Sequence, residues 1–212
     1  MPTVNPENSQ KHFHTLDPEH YPCLYGAFVK QGTRRTYSRG EIIVFQQETI
    51  NQLGILKQGS AEIHITSSEG DRIIAERFDC GSVLNAASYL DNGPSPADVV
   101  ATEDCTVIFL PYKYLRREPE LNIEATRLVA HCSVRLYRLL ERLFSSAMLL
   151  PLEERVVRRL RTLKGEQGQV RITAEKMAAY LGVSKYKIHR ILKKLESEGA
   201  LTTGYGVVTL HC

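Results

Sequence analysis

Residues 173–210 read TAEKMAAYLGVSKYKIHRILKKLESEGALTTGYGVVTL, and the order of caps, breakers and apolar positions in this stretch decides the fold. Thr173 is an N-cap residue type, so a helix is expected over Ala174–Leu181. Gly182 supplies the positive φ of a tight turn. Ser184 then opens a second helix over Lys185–Ser197, which Gly199 closes. Ala178 and Leu181 are placed to face Ile188 and Ile191, and the small Ala178 and Ala179 let the two helices cross closely. Residues 200–203 and 207–211, joined by Gly204, Tyr205 and Gly206, read as a hairpin behind the helix pair.

The second helix presents Lys185, Tyr186, Lys187, His189, Arg190, Lys193 and Lys194 on its polar side. A basic face by itself is usually just solvated. Here it sits on the second helix of a helix–Gly turn–capped helix–hairpin order, which is the arrangement that reads DNA. Arg190 is the candidate for a bidentate guanine contact, with Ser184, Lys185 and Tyr186 at the helix start near bases or phosphates. Lys187, Lys193 and Lys194 are candidates for phosphates, and Thr173 for one at its helix N-terminus. Charge agrees: residues 151–212 carry 12 Lys and Arg against 6 Asp and Glu, while residues 1–150 carry 15 against 18. A basic tail on a mildly acidic body points to a polyanion partner, double-stranded DNA.

The chain has 212 residues, 42% apolar and 24% charged. That is ordinary for a soluble globular protein of one large or two small domains, and it excludes a disordered chain, a collagen-like repeat and a coiled-coil rod. Uncharged stretches such as 143–152 and 80–90 fall well short of the roughly 20 apolar residues of a spanning helix. The N-terminus MPTVNPENSQKHFHTL has no apolar h-region. Five scattered cysteines without a Cys-x-x-Cys pair are expected to be free thiols in a reducing cytoplasm.

Residues 1–21 read as a flexible arm. Residues 33–112 read as short strands (36–38, 41–45, 52–57, 61–66, 71–78, 99–102 and 106–110) with Gly-bearing turns, hence a sandwich or barrel. The period changes after Pro111, and a helix about 45 Å long is expected over 121–150. One stripe on it, Ala125, Val129, Cys132, Leu136, Leu139 and Leu143, is spaced 4, 3, 4, 3, 4, as in a coiled-coil seam. A second holds Leu128, Leu140, Phe144 and Met148. One is expected to pack on the β region and the other on a second copy; the spacing assigns the first to the copy. Pro151 suits the first position of a helix over Leu152–Leu163, and 170–172 reads as a strand.

The segment ITAEKMAAYLGVSKYKIHRILKKLESEGAL (residues 172–201) resembles the winged helix-turn-helix of the cyclic-AMP receptor protein / fumarate-nitrate reduction regulator (Crp/Fnr) superfamily. YSRGEIIVFQQETINQLGILKQGSAEIHITSSEGDRIIAERFDCGSVL (residues 37–84) resembles that family's cyclic-nucleotide-binding β-roll, with turns at Gly40, Gly59, Gly70 and Gly81. The resemblance covers 33–212. It implies an α+β chain with an arm at 1–21, a β-roll sensor-like domain at 22–116, a dimerisation helix at 117–150 and a winged helix-turn-helix at 151–212. The function implied is that of a homodimeric, cytoplasmic transcription regulator on an inverted-repeat site. It would touch RNA polymerase if it activates; activator and repressor stay equally open.

Departures from the family pattern bear on the effector. Members that bind cyclic AMP carry Gly-Glu after the turn matching Gly81 and an Arg-Ser pair before the next strand, for ribose and phosphate. Here Asn85 and Ala86, then Pro96 and Ala97, stand in those places, and no Lys or Arg lies between 80 and 103. A buried cyclic phosphate would lack a counter-charge, so an effector other than cyclic AMP is expected. The oxygen-sensing branch uses an N-terminal cysteine cluster, where this chain has only Cys23. In the reading helix the family often has Ser-Arg-Glu followed by Arg. Tyr186 replaces the carboxylate that accepts from cytosine, so the preferred site should differ.

Weaker constellations remain. His12, His14, His20 and Cys23 are all possible metal ligands, but His-x-His in an arm is more often incidental, and no cofactor or metal is expected. Cys80 and Cys105 read as packed residues at strand ends before they read as redox sensors. A cupin-like metal enzyme needs His-x-His on an inner strand, where 61–66 offers only His64. No catalytic constellation stands out, so the chain is not expected to be an enzyme. A module with a non-reading basic tail is the other alternative.

Overall fold

In a computed structural model of the chain, the residues described are 15–164 and 168–211. They fall into two compact units, one comprising residues up to Gly70 with Ala75–Leu139, the other Asp71–Ile74 with residues from Leu140 onward. The first is built on β1 (Thr33–Tyr37), β2 (Ile42–Val44), β3 (Gln52–Gln58), β4 (Ala61–Thr66), β5 (Arg72–Phe78), β6 (Val83–Leu84), β7 (Asp98–Ala101) and β8 (Cys105–Pro111). These form two four-stranded sheets, ordered β1-β8-β3-β6 and β2-β7-β4-β5. β3 lies antiparallel to β8 from Gln52 opposite Pro111, and β4 antiparallel to β7 from Ala61 opposite Ala101. Inward residues Val44, Leu56, Ala61, Leu84, Ala101, Val107 and Phe109 make one core. The four glycines that punctuate the strands, Gly40, Gly59, Gly70 and Gly81, all have φ between +86° and +92°. Gly59 is doubly constrained: a Cβ there would meet the Asp104 carbonyl oxygen at 2.5 Å.

Four helices complete this region: α1 (Pro22–Gln31), α2 (Ala86–Asp91), α3 (Tyr112–Arg117) and α4 (Pro119–Leu149). The first three have no counterpart among the elements expected from periodicity. α1 has Gly26 inside it, and its first amides are satisfied from far along the chain. Leu24 N–H donates to Glu124 Oε2 at 2.8 Å and Cys23 N–H to Glu124 Oε1 at 3.3 Å. The expected flexible arm is corrected for its last seven residues: Thr15 bridges to Ser82, and Leu16 and Tyr21 are buried. Tyr21 Oη lies 2.8 Å from His131 Nδ1. Residues 1–14, with His12 and His14, lie outside the described residues.

On α4 the expected contact with a second copy is corrected at four of its six residues. Ala125, Val129, Cys132 and Leu139 are 0–6% exposed within their own chain, and Leu136 and Leu143 are half-buried. Ala125, Leu128, Val129 and Cys132 share a core with Leu24, Phe28, Leu53, Leu110 and Leu115. The small side chains of the stripe let the helix lie close to the β-roll. The exposed side holds a different series: Ile123, Ala130, Val134, Tyr137, Phe144 and Met148. With Arg127 and Glu141 it completes an alternation of 4 and 3.

The second unit contains α5 (Leu152–Leu163), β9 (Gln169–Arg171), α6 (Ala174–Leu181), α7 (Lys185–Ser197), β10 (Leu201–Gly204) and β11 (Val207–Leu210). The strands form one sheet ordered β10-β11-β9. Pro151 is the N-cap of α5 rather than its first helical residue, with φ −55° and ψ 144°. Val156, Leu160, Met177, Ala178, Ile188, Leu195, Leu201 and Val208 fill the core. Among the described residues no helix is long and apolar enough to cross a membrane.

Candidate nucleic-acid interface

The α6–α7 pair is set by caps and by one arginine. Thr173 Oγ1 accepts from Lys176 N–H at 3.1 Å, capping α6. At its other end Gly182 has φ +63°, and Val183 N–H donates to the Ala178 carbonyl at 3.1 Å. Arg155 of α5 donates to the Leu181 carbonyl at 2.7 Å, satisfying another group that the helix end leaves open. Ser184 occupies the N-cap of α7 without a side-chain cap bond.

Ile188 and Leu195 turn the inner side of α7 into the core. At 100° per residue that turns Tyr186, Arg190 and Lys193 directly outward, with Lys187 and Lys194 on one flank and Lys185 and His189 on the other; all seven are exposed. The cations differ in what they touch. Lys185 Nζ is 3.7 Å from Glu175 Oε1. The Glu175 carboxyl is held below its ordinary range by its own backbone amide and by Lys185. Lys194, expected at a phosphate, is paired within the protein. Its Nζ donates to Glu153 Oε2 of α5 at 2.7 Å and lies 3.7 Å from Glu198 Oε1. The hydrogen bond it gives to Glu153 raises its pKa.

Residues that sequence reasoning passed over position the hairpin. Thr203 donates to Glu196 Oε1 through its N–H at 2.6 Å and its hydroxyl at 2.9 Å, which holds the Glu196 carboxyl below its usual range. The exposed Tyr205 stands at the hairpin tip. A groove of about 500 Å³ separates hairpin and helix, lined among others by Thr173, His189, Lys193, Thr203 and Tyr205. The signal for Tyr205 was its place between two glycines in the turn.

The loop expected to face an effector lies in the other unit. Asn85, with φ +66°, heads α2; its side-chain amide donates to the Gln52 carbonyl at 3.0 Å, and its own carbonyl accepts from Tyr112 Oη at 2.8 Å. Ala86, Pro96 and Ala97 line a cavity of about 90 Å³, closed on another side by Cys132, Ser133 and Leu136 of α4. No lining residue is charged. Burial pushes the Cys132 thiol up to about 12.

The remaining candidates do not converge. His20 Nδ1 is 2.5 Å from Asp17 Oδ2, while Cys23 Sγ points to Glu120 at 3.7 Å. His64 Nε2 is 3.3 Å from Glu62 Oε2 on β4, and no three His, Cys, Asp or Glu among the described residues gather as a metal would require. Cys105 is buried; Cys80 is exposed rather than packed, its Sγ donating to the Lys57 carbonyl at 2.9 Å.

Two family models match in the order of these parts: the cyclic nucleotide-binding domain over residues 34–120, and the Crp-like helix-turn-helix domain over 154–211. The cyclic AMP receptor protein of Thermus thermophilus is 28% identical over 207 residues, covering 94% of this chain and 91% of that protein. The c-di-GMP responsive global regulator CLP of Xanthomonas campestris superposes with a TM-score of 0.79 at 21% identity, over 92% of this chain and 100% of that one. FixK2 of Bradyrhizobium japonicum follows at 0.70 and 20% identity, over 85% and 93%. A β-roll, a long helix and a capped helix pair with a hairpin thus recur in sequence and in fold, and the chain belongs to the Crp/Fnr family of transcription regulators, with a helix-turn-helix DNA-binding domain.

Proposed function

We propose that the chain acts as a homodimer, without catalysis, on an inverted-repeat site in double-stranded DNA, and that its effector is not cyclic AMP. The outward series Tyr186, Arg190 and Lys193 on α7 carries the reading, because it puts a planar five-donor cation between an aromatic ring and an ammonium on the side turned from the core. Arg190 reads guanine. Tyr186 and Lys185 meet bases or phosphates at the helix start beside Ser184, Lys187 and Lys193 hold phosphates, and Thr173 and His189 border the groove. Lys194 serves α5 instead. Pairing runs through Ile123, Ala130, Val134, Tyr137, Phe144 and Met148 of α4, an apolar series too long to leave in water. RNA polymerase is a partner if the regulator activates.

The effector part rests on size and charge. A cavity of about 90 Å³ is below the roughly 300–1,000 Å³ of ordinary ligand pockets, and it offers a phosphate no cation. The same holds in this cavity for c-di-GMP, to which the Xanthomonas relative responds.

Selection of bound sequences from random duplexes tests the DNA part. The expected result is an inverted repeat with half-sites about 34 Å apart; a site without two-fold symmetry overturns it. Calorimetry with cyclic AMP is expected to show no binding below millimolar, and micromolar affinity overturns the effector part.

A further inference from the structure

The exposed side of α7 lacks two of the usual partners of bases. From Ser184 to Lys194 the chain carries no Asp, Glu, Asn or Gln. Those side chains accept from the cytosine amino group or pair through two bonds with adenine. Glu196 lies further along the helix and holds Thr203. Guanine has a partner in Arg190. What remains on the base edges is the 5-methyl group of thymine, which is met by carbon rather than by a hydrogen bond.

Tyr186 supplies that carbon. It is 75% exposed, the one large apolar side chain that α7 leaves in water. Lys185 Nζ lies 5.7 Å from its ring centroid, and the same ammonium is 3.7 Å from Glu175 Oε1 of α6. The lysine thus ties one side of the ring to the helix pair and leaves the rest of the ring for a contact. A phenol hydroxyl both donates and accepts, so by itself it separates the bases poorly; the ring carbons do not share that ambiguity. Tyr186 precedes Arg190 by four residues, which puts it on the same face and about 6 Å nearer the helix N-terminus, where base edges are reached. That distance is less than two base-pair steps of about 3.4 Å.

We propose that Tyr186 is the specificity-determining residue for a 5-methyl pyrimidine in the major groove, within two base pairs of the guanine read by Arg190. The regulator then prefers thymine over cytosine at that position and accepts 5-methylcytosine in its place. The inference rests on the reading of α7 as the recognition helix. Its consequence is regulatory: methylation of a cytosine there converts a poor half-site into a better one without changing the base pairing.

Four duplexes test this with the full chain. They carry the selected site with thymine, deoxyuridine, cytosine or 5-methylcytosine at that position in both half-sites, and affinity is read by anisotropy. Deoxyuridine is expected to bind about 4-fold more weakly per half-site, about 15-fold in all, because one buried methyl is lost from each. 5-Methylcytosine is expected to bind more tightly than cytosine by the same factor. Tyr186→Ala is expected to bind the thymine and deoxyuridine duplexes equally, and Tyr186→Phe to keep the parent's ratio. The proposal is overturned by selected half-sites with no thymine within two base pairs of the guanine, by a parent ratio near 1, or by an unchanged ratio in Tyr186→Ala. A ratio lost in Tyr186→Phe puts the discrimination in the hydroxyl and overturns it too. Specific binding that depends on Arg190 but ignores the methyl sinks this inference alone; a parent that binds selected and scrambled duplexes equally sinks the reading of α7 itself.

Discussion

Lys194 shows how one carboxylate reassigns a side chain. On the sequence it is indistinguishable from Lys193, one more ammonium on a basic helix. In the fold Glu153 of α5 takes it at 2.7 Å, while Lys193 faces the hairpin groove. The two neighbours should therefore behave differently on DNA. Lys193→Ala is expected to weaken specific and scrambled duplexes alike and to lower the salt slope by roughly 1, because one fewer phosphate is neutralised. Lys194→Ala is expected to leave the slope unchanged. Arg190→Ala should cost about 1–3 kcal/mol on the selected site and little on a scrambled one, flattening one base pair in each half-site. Anisotropy titrations at several salt concentrations separate the three; equal slopes for the two lysine variants would show that the Glu153 pair opens on DNA. Cysteines divide in the same way. Cys132 is buried with its thiol pushed up to about 12, whereas Cys80 is exposed. Alkylation near pH 8 followed by peptide mass spectrometry is expected to label Cys80 and spare Cys132 until the chain is unfolded.

At the scale of the element, α4 separates two jobs that the sequence presents as one pattern. Both of its apolar series have the 4, 3 spacing, and periodicity alone does not say which meets the β-roll. Burial does: Val129 is 0% exposed and Val134 49%, and Leu128 beside Val129 is buried with it. Leu128→Ala is expected to destabilise the protomer by about 2–5 kcal/mol, read by chemical unfolding. Val134→Glu is expected to leave the far-ultraviolet spectrum intact and give a monomer by light scattering at micromolar concentration, since two carboxylates would meet near a two-fold axis. A dimeric Val134→Glu protein would place the contact elsewhere. The same contrast explains what was legible. The helices Ala174–Leu181 and Lys185–Ser197 were readable to the residue because their caps and Gly182 are local. α1 was not, because its amides are satisfied by Glu124, about a hundred residues away. α2 opens on a left-handed Asn85 held by Gln52 and Tyr112, again non-local partners. In the site, the exposed basic residues were legible from type and period. The pairing of Lys194 and the tie between Glu196 and Thr203 were not, since each needs a second element.

For the whole molecule, the proposed two-fold dimer would constrain the DNA more than either recognition helix does. Two copies of α7 related by one axis demand half-sites on the same face of the duplex, about 34 Å apart. Phase and distance can be varied separately. Inserting five base pairs between half-sites turns one of them to the opposite face. Inserting ten restores the face but moves it another 34 Å along. A dimer held through α4 satisfies neither, so both insertions are expected to reduce affinity to that of scrambled DNA, a drop of at least about 10³. Two independent monomers would bind all three spacings equally. A long flexible connection would accept ten and reject five. Footprinting on the three duplexes at one salt concentration distinguishes these outcomes, and Val134→Glu supplies the control: as a monomer it should bind each half-site weakly and ignore the spacing. Retained affinity for the ten-base-pair insertion in the parent protein would show that the two reading heads are not fixed by one rigid pairing, and the α4 seam would lose its role as the ruler.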